Sequence, residues 1–376
     1  MNKYLNIVHI STVHPDSDTR IFEKECRGLV AAGHRVTLII QSDRTDVRDG
    51  VNVKALPKSR GRLHRMTVTM ARAFCLVLME KGDIYHLHDP ELLPMGLILR
   101  FLGRKVVYDM HENLPEQIKD KHWIPVWLKR PLAATVRMWE RVVLNYMGVV
   151  MAERSYSKSY KWMKRSEVIL NLPMVDDLVN FAPKVRSTTP SVGYIGGVTR
   201  NRGALIIIDA LQQIREEGLP VSYECIGPVD SEVASDKRFL RAVSEGWAVT
   251  PGRMSPRDGW PRIGHCQIGV AVLRSVGNYI ESYPTKMFEY MAMGLPVVVS
   301  NFPLYREVVE RYKCGICVDP DDKKAITEAL RFLLENPDRA REMGQKGQKA
   351  VLQNYNWNRE LGRLCNFYDS LINNPL

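Results

Sequence analysis

Long apolar runs are missing from this chain of 376 residues. Its most hydrophobic stretches, AFCLVLM and LLPMGLILRFLG, fall well short of the roughly 20 residues that cross a bilayer, which excludes a spanning helix. The opening MNKYLNIVHIS interleaves polar residues and lacks a small-residue cleavage site, so it reads as a first strand and not as a secretory leader. Cysteine is scarce too. The seven (Cys26, Cys75, Cys225, Cys266, Cys314, Cys317, Cys365) are odd in number and scattered, which argues against a disulfide framework and suits reduced thiols in a cytoplasm. Cys314 and Cys317 form a C-x-x-C without a second pair and read as packing residues at the start of a strand. There is no internal repeat, no G-x-G-x-x-G dinucleotide fingerprint and no nucleic-acid motif with aromatic stacking platforms, so a dehydrogenase and a nucleic-acid module are both disfavoured.

What is present is ordinary globular composition, 45% apolar and 25% charged, in a chain longer than one hydrophobic core usually serves. Short β-branched runs alternate with helical patterns: NIVHIS, VTLII, VNVKAL, IYHLHD, KVVYDMH, GVVMA and EVILN, then VGYIG, VSYECIG, IGVAVL, PVVVS and GICVD. That rhythm predicts an α/β fold of two facing Rossmann-like, doubly wound parallel-sheet domains, whose ligands bind outside the carboxyl ends of the strands. The Pro/Ser/Thr-rich stretch after EVILN reads as the linker. The expected division is 1–185, 186–355 and a C-terminal segment 356–376, whose Leu361, Leu364, Phe367 and Leu371 at helical spacing return to the first domain. Nearly all of the net +11 charge lies in the first half, which suggests an anionic partner there or a basic solvated surface. Two segments combine cations with apolar residues: Lys58, Arg60, Arg62 and Arg65 lead into TVTMARAFCLVLM, and Trp123, Ile124, Val126, Trp127 and Leu128 lie among Lys119, Lys121, Lys129 and Arg130. This pairing predicts a cytoplasmic protein docked peripherally on the anionic inner face of the plasma membrane.

The richest segment for chemistry is GNYIESYPTKMFEYMAMGLPVVVS. Pro284 suits the start of a helix ending near Gly294, with Glu281 in the preceding loop and Glu289 about five residues in. The amides of Thr285 and Lys286 at the positive end of that helix make an anion site, and carboxylates on either side of it match the hydroxyl-rich rings flanking a diphosphate. GYIGGVTRNRG follows a strand and opens a helix, so Gly196 and Gly197 let backbone approach a ligand, with Arg202 at hand. His111 closes the strand KVVYDMH between Asp109 and Glu112. In STVHPDSDTRIF, Asp18 or Thr19 is a helix cap, and His14, Asp18 and Arg20 are assigned to the acceptor side. His86, His88 and Asp89 hint at a metal, but strand alternation turns Asp89 away from the histidines' face, and no metal is expected.

These stretches, with HPDSDTRIFEKECRGLVAAGHRVTLI, YHLHDPELLPMG and KVVYDMHENLP, together resemble glycosyltransferase family 4, retaining enzymes of GT-B fold. The resemblance implies that Glu281 and His111 contact the transferred sugar, Glu289 the ribose, and Arg202 the diphosphate, without metal or other cofactor. It further implies that the backbone near Arg253 and Met254 receives the base, with UDP preferred over GDP, and that a hexose passes to a glycan or lipid-linked acceptor in cell-surface polysaccharide assembly. The family's second cation, usually just after the first glycine of the loop, is replaced here by Gly197, and Arg200 or Lys286 can substitute. A nucleotide-sugar epimerase of the same fold would share the donor half and need no acceptor.

Overall fold

The computed structural model describes residues 4–121, 124–182 and 189–374. It divides into two units, the first comprising Met1–Asn171 with Trp357–Leu376, the second Leu172–Asn356.

The first unit is built on strands β1 (Asn6–Pro15), β2 (Arg35–Gln41), β3 (Asp46–Arg48), β4 (Val51–Leu56), β5 (Ile84–Leu87), β6 (Val106–Met110), β7 (Gly148–Met151) and β8 (Ser166–Val168), in the order 3-4-2-1-5-6-7-8. All neighbours pair in parallel except β3 with β4. Strand alternation sorts the side chains. Val8, Ile10, Tyr85 and Leu87 join one apolar cluster, while Ile7, Leu38, Ile84 and Val107 join another on the opposite face. That second face is covered by a helix over Thr19–Cys26 that runs into Arg27–Ala31, and by the C-terminal helix Trp357–Asn373. Asp18 caps the former, its carboxylate accepting from the amides of Arg20 and Ile21. The C-terminal helix buries Trp357, Leu364, Phe367, Tyr368 and Leu371 against the first unit, and the Trp357 indole donates to the Lys24 carbonyl at 2.8 Å. A Cβ at Gly148 would meet Leu371 at 2.7 Å, which measures how closely that helix sits on β7.

The second unit carries β9 (Ser191–Ile195), β10 (Ser222–Ile226), β11 (Ala248–Gly252), β12 (Ile268–Ala271), β13 (Val297–Ser300) and β14 (Gly315–Val318), parallel and ordered 11-10-9-12-13-14. Strand order reverses between β9 and β12 here, and between β1 and β5 in the first unit. Such reversals open a crevice at the carboxyl ends of the strands.

The boundary differs from the expected one. The linker segment contributes a helix, Val175–Asn180, whose Val175 and Leu178 are buried, and the carbonyl of the following Phe181 would lie 2.3 Å from a Cβ at Gly264. The second unit therefore begins at Leu172 rather than at 186. Among the described residues, no helix is long and apolar enough to cross a membrane, and all seven cysteines are free.

Candidate donor and acceptor sites

In the second unit a cavity of about 550 Å³ opens at the reversal between β9 and β12. Gly196, Arg202, Met254, Thr285, Lys286 and Glu289 line it, as do Tyr279 and Tyr283. Gly196 lies just past β9 with φ 136°, and a Cβ there would sit 2.8 Å from Lys286 Nζ and 3.4 Å from Arg202 Nη1. Two cations thus converge on one glycine. Arg202 ends a short 3-10 turn whose Thr199 hydroxyl accepts from the Arg202 amide, and its Nε donates to the Tyr279 hydroxyl at 3.4 Å. The Lys286 ammonium stands 4.7 Å over the Tyr194 ring and 3.3 Å from its hydroxyl. Burial, then the Arg202 charge, lower the Lys286 pKa to about 8, against the pull of Glu289. Gly197 lies under the Arg202 guanidinium, where a Cβ would be 3.5 Å from Nη1, so its lack of a side chain leaves that space to Arg202.

The helix forms over Thr285–Ala292, with Pro284 at its cap position and Gly294 in the left-handed region beyond its end. Glu289 faces the cavity, whereas Glu281 is exposed and lies outside its lining. Arg253 is exposed and outside it too, and of that pair Met254 alone reaches the cavity. Arg200 points elsewhere, into an exposed ion pair with Glu232 at 2.5 Å. Tyr194, Tyr279, Tyr283 and Trp260 escaped the sequence reading. Tyr279 and Tyr283 flank Glu281 within the segment already singled out, but only the fold shows that their rings belong to the cavity.

In the first unit, polar side chains gather at the carboxyl ends of β1, β5 and β6. His111 is a quarter exposed, and its Nε2 lies 2.9 Å from Asp109 Oδ2. Burial raises the Asp109 pKa, but Arg20 together with His111 and His88 outweighs it and holds the carboxyl well below the usual range. Glu112 is exposed. His14 Nδ1 is 3.1 Å from Asp89 Oδ1, and that hydrogen bond raises its pKa in spite of partial burial. Asp89 also accepts from the Ser11 hydroxyl and the Thr12 amide, away from His86 and His88.

Two of the acceptor-side assignments are corrected. Arg20 is 5% exposed and spans Asp109 (Nη2 to Oδ1, 3.0 Å) and Glu25 (Nε to Oε1, 3.0 Å), so it is an internal counter-charge and not an acceptor contact. The Asp18 carboxylate is engaged in capping. His14 retains partial exposure at the sheet's edge. The residues whose donor atoms lie close enough for a metal are His9, Glu25, His86 and His88, and separately His88, Asp109 and His111, among the described residues.

Residues 19–153 match the family model described as Glycosyl transferase 4-like domain, and residues 179–350 the one described as Glycosyl transferases group 1. The chain is 24% identical over 202 residues to the putative colanic acid biosynthesis glycosyltransferase WcaL of Escherichia coli, a match covering 50% of this chain and about half (48%) of that protein. To the phosphatidyl-myo-inositol mannosyltransferase of Mycobacterium leprae it is 23% identical over 303 residues, covering 77% of this chain and 74% of the relative. Among solved structures, the sucrose-phosphate synthase of Thermosynechococcus elongatus superposes with TM-score 0.72 at 18% identity, over 98% of this chain and 99% of the other. Anabaena Alr3699/HepE in complex with UDP-glucose does so with TM-score 0.71 at 15% identity, over 98% and 100%.

Proposed function

We propose, for a chain that is a GT-B glycosyltransferase by its fold and by both of its family domains, that it moves a hexose from a UDP-sugar to a hydroxyl of a glycan or lipid-linked acceptor, with retention at the anomeric carbon. The observation that carries this reading is the convergence of Arg202 and Lys286 on Gly196, beside a helix N-terminus and Glu289, in one cavity. A diphosphate needs such paired cations, and the ribose hydroxyls need the carboxylate.

In the proposed reaction the leaving diphosphate gains negative charge as the glycosidic bond breaks. Arg202 and Lys286 stabilise that charge where it develops, which lowers the barrier more than it tightens the ground state. The departing phosphate oxygen takes the acceptor's proton, so no protein base is required at that step. His111, held through Nε2 by Asp109, is assigned to the transferred sugar. Glu281 is assigned to that sugar as well. No metal is assigned to the diphosphate, since two cations already face it, and added magnesium or manganese is expected to leave the rate unchanged.

Relatives named as a putative colanic acid biosynthesis glycosyltransferase and a phosphatidyl-myo-inositol mannosyltransferase support an acceptor in cell-surface polysaccharide or glycolipid assembly, and the UDP-glucose complex of a structural neighbour supports UDP. The test is calorimetry with a panel of UDP- and GDP-sugars, followed by slow donor hydrolysis. Saturable binding of a UDP-sugar that Arg202→Ala weakens, and Arg200→Ala does not, is expected. Absence of binding to every member of the panel overturns the donor assignment, and interconversion of the sugar without acceptor replaces transfer by epimerisation.

A further inference from the structure

The polar interior of the first unit contains more than His111 and its support require. β1 and β5 pair so that His9 stands opposite His86, and the period of two places His88 on the same face, beneath the helices that carry Glu25 and Tyr368. All four candidate donors are fully buried. Glu25 Oε2 lies 3.8 Å from His9 Nδ1, 3.9 Å from His86 Nδ1 and 3.9 Å from His88 Nε2, while His9 Nδ1 and His88 Nε2 are 2.9 Å apart. These separations bracket the edge of about 3.3 Å that a tetrahedron with bonds of 2.0–2.1 Å requires. Glu25 Oε2, on which the three histidines converge, is buried without a hydrogen bond, an arrangement that protein interiors avoid.

We propose that His9, His86, His88 and Glu25 form a closed binding site for one divalent transition-metal ion of the zinc class. Three imidazoles and one carboxylate are the donor set that zinc accepts, and four protein ligands leave no open position, so the ion braces β1 and β5 against the Thr19–Cys26 helix rather than reacting. The surroundings fit. His88 Nδ1 faces Asp109 Oδ2 at 3.3 Å, the carboxylate behind a ligating histidine that fixes its ring, and Arg20 engages Glu25 through Oε1, leaving Oε2 for the ion. The Tyr368 hydroxyl lies 2.5 Å from His86 Nδ1 and must give up that nitrogen for the ion to bind it. The expectation of no metal at His86 and His88 weighed only Asp89 beside them, whereas the remaining ligands proposed here come from a neighbouring strand and helix.

The whole chain, produced in zinc-supplemented medium, is assayed for metal by mass spectrometry, then unfolded with chelator, refolded and titrated with cobalt(II). About one zinc per chain is expected, as are visible cobalt bands of tetrahedral intensity without thiolate charge transfer. His86→Ala abolishes both, and Asp109→Asn weakens cobalt affinity roughly 10- to 100-fold. If His86→Ala does not fold, Glu25→Gln serves, expected to keep the fold by circular dichroism and lose the cobalt bands. Folded wild-type chain with only background metal and no cobalt bands at saturation overturns the site, and so does a thiolate charge-transfer band, which moves the ion to the cysteines.

Discussion

Lys286 owes its lowered pKa of about 8 to burial and to Arg202, and this has a consequence for donor binding. A diphosphate binds the charged ammonium, so UDP affinity is constant well below pH 8 and falls as pH rises through it, towards a limit of about tenfold per pH unit. Lys286→Arg keeps its charge throughout and flattens the profile between pH 7 and 9. Calorimetry on both proteins decides, and an equally steep fall in the variant removes Lys286 from the diphosphate. Glu289 and Glu281 separate in a second measurement. Glu289 faces the cavity, and if it receives ribose hydroxyls, Glu289→Ala loses on the order of 1.5–3 kcal/mol, roughly 10- to 100-fold in UDP affinity. Glu281→Ala leaves UDP affinity near wild type and lowers turnover. Spacing brought Glu289 and Arg202 to one cavity but set Glu281 beside them, and Glu281 lies outside the lining; Arg20 was misassigned, because its partner Asp109 lies 89 residues away and no local pattern announces that pairing.

At the level of elements, buried parallel strands were readable because both faces are covered and the runs are continuously apolar. Two strands were not. β3 is a three-residue antiparallel edge, Asp46–Arg48, with no apolar signal, and β11 is an edge strand containing Pro251, a residue that argues against a central strand. The helix Val126–Leu144 buries Glu140, which accepts from the Tyr160 hydroxyl at 2.8 Å, and burial raises its pKa to about 7 from an ordinary 4.5. The folded state therefore holds this proton more tightly than the unfolded chain. The resulting stability is complete below about pH 4.5 and is lost as pH rises to 7. Glu140→Gln retains an acceptor for Tyr160 and removes the charge. Relative to the variant, the wild type loses up to about 3 kcal/mol between pH 5 and 8 in urea titrations, and parallel curves for the two proteins remove the assignment.

For the whole chain, the sequence pointed to two domains but misplaced their boundary, since the helix Val175–Asn180 is short and joins the second unit through packing that no local signal reports. The concentration of positive charge in the first half has a surface counterpart. On the helix Val126–Leu144, Val126, Trp127, Met138 and Trp139 are exposed, Trp127 by 77%, while Leu63 and Met66 are exposed beyond Lys58 and Arg60. Ile124 is buried beside Ile118 and Ala133 and leaves the proposed docking set, and Trp123 lies outside the described residues. Exposed tryptophan among cations suits a bilayer interface, where each basic residue near an anionic surface contributes about 1 kcal/mol. The chain is therefore expected to co-sediment with vesicles containing anionic lipid at low salt and to be released as salt screens the attraction. Lys129→Glu with Arg130→Glu weakens binding through charge, whereas Trp127→Ala weakens it through buried area and leaves the salt dependence in place. Wild-type chain remaining in the supernatant with anionic vesicles at low salt rules docking out, and a soluble glycan then replaces the lipid-linked acceptor.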